Sequence, residues 1–133
     1  MSDRPANTAI HVLLVEDHVQ LRKVLKQTLC GEGFRVTTAE SADQALSILG
    51  RGEAVDILFS DVRMPGRLDG LQLARWVQEH RPEIMILLQT GFSDMDTGNF
   101  RVLRKPFSPD ELSAQLRATL ERDSPCNAKR SLT

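Results

Sequence analysis

Short β-branched apolar runs alternate with one-sided helical stretches along this chain, and that alternation limits the folds open to it. Ala9 to Val15 is apolar and ends in Glu16-Asp17. His18 to Cys30 then carries Val19, Leu21, Val24, Leu25, Thr28 and Leu29 at helical spacing, and Gly31 and Gly33 stop it. Phe34 to Thr38 reads as a second strand. Ser41-Ala42-Asp43-Gln44 fits a capping box, in which Ser and a Gln three residues on satisfy backbone donors, and it opens a helix that Gly50 and Gly52 end. Val55 to Ser60 is a third strand and Leu71 to His80 a third helix, stopped by Pro82. Ile84 to Gln89 and Phe100 to Arg104 read as the fourth and fifth strands. Ser108-Pro109-Asp110-Glu111 is another capping box with proline at the favoured first position, and its helix runs to about Arg122. Strands apolar throughout and helices apolar on one side imply an α/β fold: a parallel sheet covered on both faces and joined by right-handed crossovers. Five strands so spaced predict a doubly wound, flavodoxin-like (βα)5 sheet of order 2-1-3-4-5. Residues 1–8 are expected to be a flexible N-terminus, 9–122 the folded domain and 123–133 a polar tail.

The stretch Asp56 to Gly66 is the centre of that pattern. Its apolar run ends in a carboxylate, Asp61, and the turn residues Pro65-Gly66 follow. In open α/β sheets, ligands bind outside the carboxyl ends of the strands. Asp also initiates turns, so Asp61 alone decides nothing. The other strands decide it. At their carboxyl ends stand Glu16 and Asp17, Asp61, Thr90 and Lys105. In order 2-1-3-4-5 the four strands that carry them are neighbours, and the side chains converge. Glu16 and Asp17 would otherwise serve as helix caps, and Thr90 and Lys105 as ordinary strand-end residues.

Carboxylates packed together repel and raise each other's pKa unless a cation intervenes. Mg²⁺ suits such a site, because it takes one or two carboxylates, several waters and a substrate phosphate. A lysine then serves as a point charge for a phosphoryl oxygen, and Thr90 can donate its hydroxyl to another. Such a group stabilises charge on a phosphoryl group in transfer, with Asp61, central in the sheet, as the nucleophile.

Composition narrows the alternatives. With 133 residues, 17 basic and 18 acidic, the chain carries a net charge of −1 and makes no electrostatic case for nucleic acid or an anionic membrane. Its apolar runs are too short to span a bilayer, and the N-terminus is no secretory signal. Cys30 and Cys126 lack metal-ligand spacing and suit a reduced, cytoplasmic protein. His11, His18 and His80 share no ligand spacing and are expected to be structural or solvent-facing. Trp76 is expected to pack against its helix and Cys30 to lie at the core edge.

Glu16-Asp17, Asp61 followed by Met64-Pro65-Gly66, Thr90-Gly91 and Lys105-Pro106-Phe107 together resemble the receiver (CheY-like) domain of two-component response regulators. The resemblance covers Ile10 to Leu120. It implies that Asp61 accepts a phosphoryl group from a phosphohistidine on a sensor histidine kinase or phosphotransfer protein, within a phosphorelay. It implies Mg²⁺ held by Glu16, Asp17, Asp61 and the backbone carbonyl of Arg63, with Lys105 pairing with the phosphoryl group and Thr90 as the switch residue. It implies a cis peptide before Pro106. Such a domain catalyses only its own phosphorylation and dephosphorylation and is not a turnover enzyme. Arg63 and Phe92, two residues beyond Asp61 and Thr90, occupy positions that in this family tune the lifetime of the acyl phosphate.

The sequence departs from the family in one segment. Gly91 to Arg101 is polar and short, whereas a helical crossover needs about 12 residues. The fourth helix should be shortened or replaced by a loop, as in single-domain regulators and hybrid histidine kinases. Val102 stands where the family usually has an aromatic residue, and Phe100 shares its strand parity. Phosphorylation is therefore expected to order or release the Gly91–Asn99 loop. With no further domain after Leu120, the expectation is a stand-alone or excised receiver that switches partner-protein binding, monomeric or weakly dimeric. Rival readings are a degenerate scaffold receiver, a flavodoxin-like mononucleotide binder and a haloacid-dehalogenase-type phosphatase. The binder would want a Ser/Thr/Gly-rich loop where Glu16-Asp17-His18 stand, and the phosphatase a second carboxylate where Arg63 stands.

Overall fold

The computed structural model describes residues 9–63, 68–91, 98 and 100–123, with side chains described as far as 120. Among these residues are five strands and four helices: β1 His11–Val15, α1 Val19–Gly31, β2 Arg35–Ala39, α2 Ala42–Gly50, β3 Ile57–Asp61, α3 Gly70–His80, β4 Met85–Thr90, β5 Arg101–Arg104 and α4 Pro109–Asp123. The strands form one parallel sheet of order β2-β1-β3-β4-β5, as the alternation predicts. Element boundaries differ from the sequence-based ones by one or two residues. At β3 that shift makes Asp61 the last residue of the strand.

Strand parity sorts the core into two main layers. Val12, Leu14, Ile57, Phe59 and Leu87 pack with Leu25 and Leu29 of α1 and Leu112 and Leu116 of α4. Leu13, Val15 and Leu58 face the other way, onto α2 and onto Leu73 and Val77 of α3. Side chains one apart on a strand point to opposite faces, so both faces need apolar residues, and the inner strands β1, β3 and β4 carry continuous apolar stretches while the edge strands β2 and β5 do not. Val19 and Val24 do not join this core: they are 49% and 54% exposed. Their spacing placed them with Leu21 and Leu25, but a helix of 3.6 residues per turn buries only one stripe, and here Leu25 and Leu29 occupy it. Cys30 is also exposed, not at the core edge. Trp76 is partly buried and stacks on His80, with ring centroids 4.5 Å apart.

Caps fix where the helices start. At α4, Ser108 Oγ accepts from Glu111 N at 3.1 Å while Glu111 Oε1 accepts from Ser108 N at 2.8 Å, a full capping box. At α2, Ser41 Oγ accepts from Gln44 N, but the Gln44 side chain reaches one residue further back, to Glu40 N. A third box, Asp69 with Gln72, opens α3. None of the four helices lies between β4 and β5, and the expected loop there (92–97 and 99) lies outside the described residues. Phe100 and Val102 share a face, as their parity requires, and pack against Val62, Ala74 and Leu88.

Candidate functional site

Parallel strands in register set one row of side chains across the carboxyl edge of the sheet. Val15 is opposite Ser60, so Glu16 follows opposite Asp61, and Asp61 is opposite Gln89. Partner residues on neighbouring strands point to the same face. Glu16, Asp61 and Gln89 therefore lie side by side on the α1/α4 face of the sheet, where the apolar rows below them have ended.

Asp61 is 8% exposed, and both its oxygens have donors. Lys105 Nζ approaches Oδ2 at 2.6 Å, and the backbone N–H of Arg63 donates to Oδ1 at 3.0 Å. Lys105 is tied to β4 by its own N–H, donated to the Thr90 carbonyl at 2.9 Å, and the peptide bond to Pro106 that follows it is cis. The cis bond stands where the resemblance implies it. Thr90 itself is 3% exposed, one position beyond Gln89. The chain around Asp61 is further held by α3. The first residue of that helix, Gly70, donates its N–H to the Val62 carbonyl at 2.9 Å. A Cβ on Gly70 would lie 1.8 Å from the Asp61 carbonyl oxygen, so only glycine admits this approach.

Glu16 is buried to 2% exposure. Gln89 Nε2 donates to its Oε1 at 3.0 Å and His18 N to its Oε2 at 3.2 Å, while Arg22 donates to its main-chain carbonyl at 2.8 Å. Burial pushes the Glu16 carboxyl above its ordinary value. The His18 N–H pulls it down, the Asp61 charge pushes it up, and Lys105 and Asp17 act in opposite directions in smaller measure. Asp17 is exposed beside this group. It does not cap α1, because His18 does, its Nδ1 accepting from Leu21 N at 3.2 Å.

Mg²⁺ fits this donor set. Among the described residues no group of three or more His, Cys, Asp or Glu side chains is gathered to hold a metal ion. Mg²⁺ does not demand one, since it is usually held by one or two carboxylates together with waters and a phosphate. Glu16 and Asp61 supply two hard oxygen donors whose mutual repulsion a cation relieves. Asp17 and the Arg63 carbonyl are the remaining oxygen donors nearby in sequence. Arg63 is exposed. Phe92 and the Met64-Pro65-Gly66 turn lie outside the described residues.

Gln89 and Gly70 are site residues that sequence reading misses. Gln89 is the one amide in β4, after four apolar residues, which could have marked it. Gly70 reads as the end of a loop, and its contact with Asp61 is visible only in three dimensions. The three histidines are structural or surface residues: His11 is 3% exposed and fully hydrogen-bonded at the opposite edge of the sheet, His18 caps α1 and His80 stacks on Trp76.

A carboxylate at the end of the central strand, paired with a lysine that a cis-proline follows, defines a site class as well as a fold class. The family model for the response regulator receiver domain matches residues 12–117, and the chain belongs to that family. Its similarity extends to transcriptional regulators. It is 35% identical to the transcriptional regulatory protein GlrR of Escherichia coli over 98% of this chain and 30% of the relative's length. It is 36% identical to the DNA-binding transcriptional regulator NtrC of Salmonella typhimurium over 77% of this chain and 23% of that protein. The chain thus spans less than a third of these curated relatives. Among solved structures, the signal receiver domain of an HD domain-containing protein from Pseudomonas fluorescens superposes with a TM-score of 0.78 at 28% identity, covering 87% of this chain and 98% of the other. NtrX from Brucella abortus, in complex with ADP, gives 0.79 at 29% identity over 94% of this chain and 29% of NtrX. No helix among the described residues is long and apolar enough to cross a membrane.

Proposed function

We propose that this receiver domain accepts a phosphoryl group on Asp61 from a phosphohistidine of a histidine kinase or phosphotransfer protein, with Mg²⁺ at Glu16, Asp17, Asp61 and the Arg63 carbonyl. The observation that carries the reading is the Asp61 carboxylate, nearly buried and held by Lys105 Nζ at 2.6 Å and Arg63 N–H at 3.0 Å. A carboxylate oxygen attacks phosphorus, a P–O bond forms, and the donor's P–N bond breaks with its electron pair returning to the imidazole nitrogen. Lys105 turns from the carboxylate to the incoming phosphoryl oxygens, and the Thr90 hydroxyl donates to another of them. Bound Mg²⁺ would supply further positive charge against the phosphoryl oxygens. These contributions are positioning and electrostatics, the bulk of catalysis in phosphoryl transfer. Arg63 and Phe92 tune how long the acyl phosphate survives.

The chain acts as a stoichiometric acceptor and not as a turnover enzyme. An apolar groove of about 400 Å³, lined by Leu21, Val24 and Leu25 of α1 with Pro106 and Phe107, reaches Lys105, the partner of Asp61, and supports docking of a protein donor. Exposed Val24 on its rim adds apolar surface for that contact. A downstream protein reads the phosphorylated state of the domain. A non-phosphorylated scaffold would have no use for a buried carboxylate beside a lysine and a second, mutually repelling carboxylate.

Incubation with acetyl phosphate and Mg²⁺, followed by intact mass, tests the acceptor. Wild type gains one phosphoryl group and Asp61→Asn gains none. A wild-type protein that stays unmodified overturns the reading.

A further inference from the structure

We propose that Gln89 is a positioning residue that holds Glu16 beside Asp61, through the Nε2–H it donates to Glu16 Oε1. The inference rests on the reading of Glu16 and Asp61 as a Mg²⁺ and phosphoryl site, and it adds a residue to that site.

Gln89 sits on β4 and Glu16 just beyond β1, the two strands that flank β3. The bond between them, 3.0 Å long, therefore passes across the row position that Asp61 occupies on the central strand. Neighbouring strands lie about 4.8 Å apart, so two flanking strands are separated by about 10 Å. A glutamine and a glutamate, each with two methylenes, span that gap, whereas asparagine would stop one methylene short.

The amide is retained at a disadvantage to folding. Gln89 is 0% exposed, and its Oε1 has no hydrogen-bond partner. A buried acceptor left unmet is unfavourable, and an apolar side chain of the same shape would avoid it. What the amide supplies is a donor aimed at one oxygen of Glu16, while His18 N–H holds the other. A neutral donor fixes the carboxylate without cancelling its charge. A lysine in its place would neutralise Glu16 and remove the need for a cation. The Gln89 main chain is tied to the same spot, since its carbonyl accepts from Val62 N at 2.9 Å, beside Asp61. One residue thus fixes the spacing of the two carboxylates that would hold the metal. Hydrogen-bond partners behind a metal ligand orient it, and losing one weakens metal binding about 10- to 100-fold.

Mg²⁺ titration of the unphosphorylated proteins, followed by amide chemical shifts, tests the inference with Gln89→Met and Gln89→Asn. Met keeps length and bulk without the donor, and Asn keeps the amide without the reach. Both variants bind Mg²⁺ about tenfold or more weakly than wild type. At saturating Mg²⁺ both recover acetyl-phosphate labelling to within about twofold of wild type, a change in binding and not in the chemical step. Wild-type affinity in either folded variant overturns the inference and leaves the site reading standing. So does normal affinity with a depressed saturated rate. If wild type itself shows no Mg²⁺ binding, the metal site falls and the role of Gln89 falls with it.

Discussion

The two edges of the same sheet hold similar residues and put them to opposite uses. At the amino edge, His11 N donates to Asp56 Oδ2 at 2.8 Å, and Asp56 N donates back to the His11 carbonyl at 2.8 Å. The His11 ring lies 2.5 Å from the Ala54 carbonyl through Nδ1 and 2.7 Å from Thr37 Oγ1 through Nε2. A carbonyl only accepts, so Nδ1 carries the proton and Nε2 takes the Thr37 hydroxyl's. Each of these polar groups has a hydrogen-bond partner. At the carboxyl edge, Glu16 and Asp61 repel each other, and Lys105 is one cation between them. Gln89 Oε1 is left without a partner. A histidine and an aspartate with their bonds complete make a joint between strands. Two carboxylates that repel each other beside a lysine suit the Mg²⁺ site proposed above.

Lys105→Ala gives the largest expected effect. Removing the ammonium beside Asp61 slows labelling by acetyl phosphate by about 10²-fold or more, the usual loss for one charge-stabilising donor, and stopped-time mass spectra measure it. A rate within a few-fold of wild type would mean that the carboxyl edge needs its lysine no more than the amino edge does. Gly70→Ala follows. Its methyl would meet the Asp61 carbonyl, so the variant loses about 3 kcal/mol or more in urea unfolding and its remaining folded fraction is labelled slowly. His11→Ala sharpens the contrast. It leaves the Ala54 carbonyl and Thr37 hydroxyl unpaired at a cost of about 2 kcal/mol, yet the labelling rate per folded molecule stays at the wild-type value.

The smallest effect depends on pH. Burial raises the Glu16 carboxyl in the folded state above its ordinary value of 4.5. The stability this contributes is complete below that ordinary value, where Glu16 is neutral in both states. It is lost as pH rises through the raised value, because the folded state then gives up a proton it had bound more tightly. Glu16→Gln has no such loss. In metal-free buffer its unfolding free energy improves relative to wild type as pH rises above the ordinary carboxyl value of 4.5 and through the raised one. A difference that does not vary with pH would show that Glu16 is as well matched as the amino-edge pair.

The sheet and the polar row at its carboxyl edge were legible for the same reason. Apolar strands that end in Glu16, Asp61, Thr90 and Lys105 betray both the parallel sheet and the edge at which its polar groups collect. Sequence periodicity was less able to say which helix positions face water. Val19 and Val24 satisfy the spacing of a buried face, and only the packing of α1 against α4 and the sheet shows them exposed. The α3 capping box was written as Asp69-Gly70-Leu71-Gln72, with Asp where Ser or Thr is the commoner sign. Gln89 was hidden because a polar residue closing an apolar run reads as a boundary. Its function depends on a bond to a residue 73 positions away.

Reduction of the acyl phosphate by borohydride, followed by peptide sequencing, compares the two edges in one measurement. After treatment with acetyl phosphate and Mg²⁺, the modified carbon should fall on Asp61 alone. Modification at Asp56, or at Glu16 or Asp17 in place of Asp61, would contradict the assignment of the central strand's last residue as the phosphoryl acceptor.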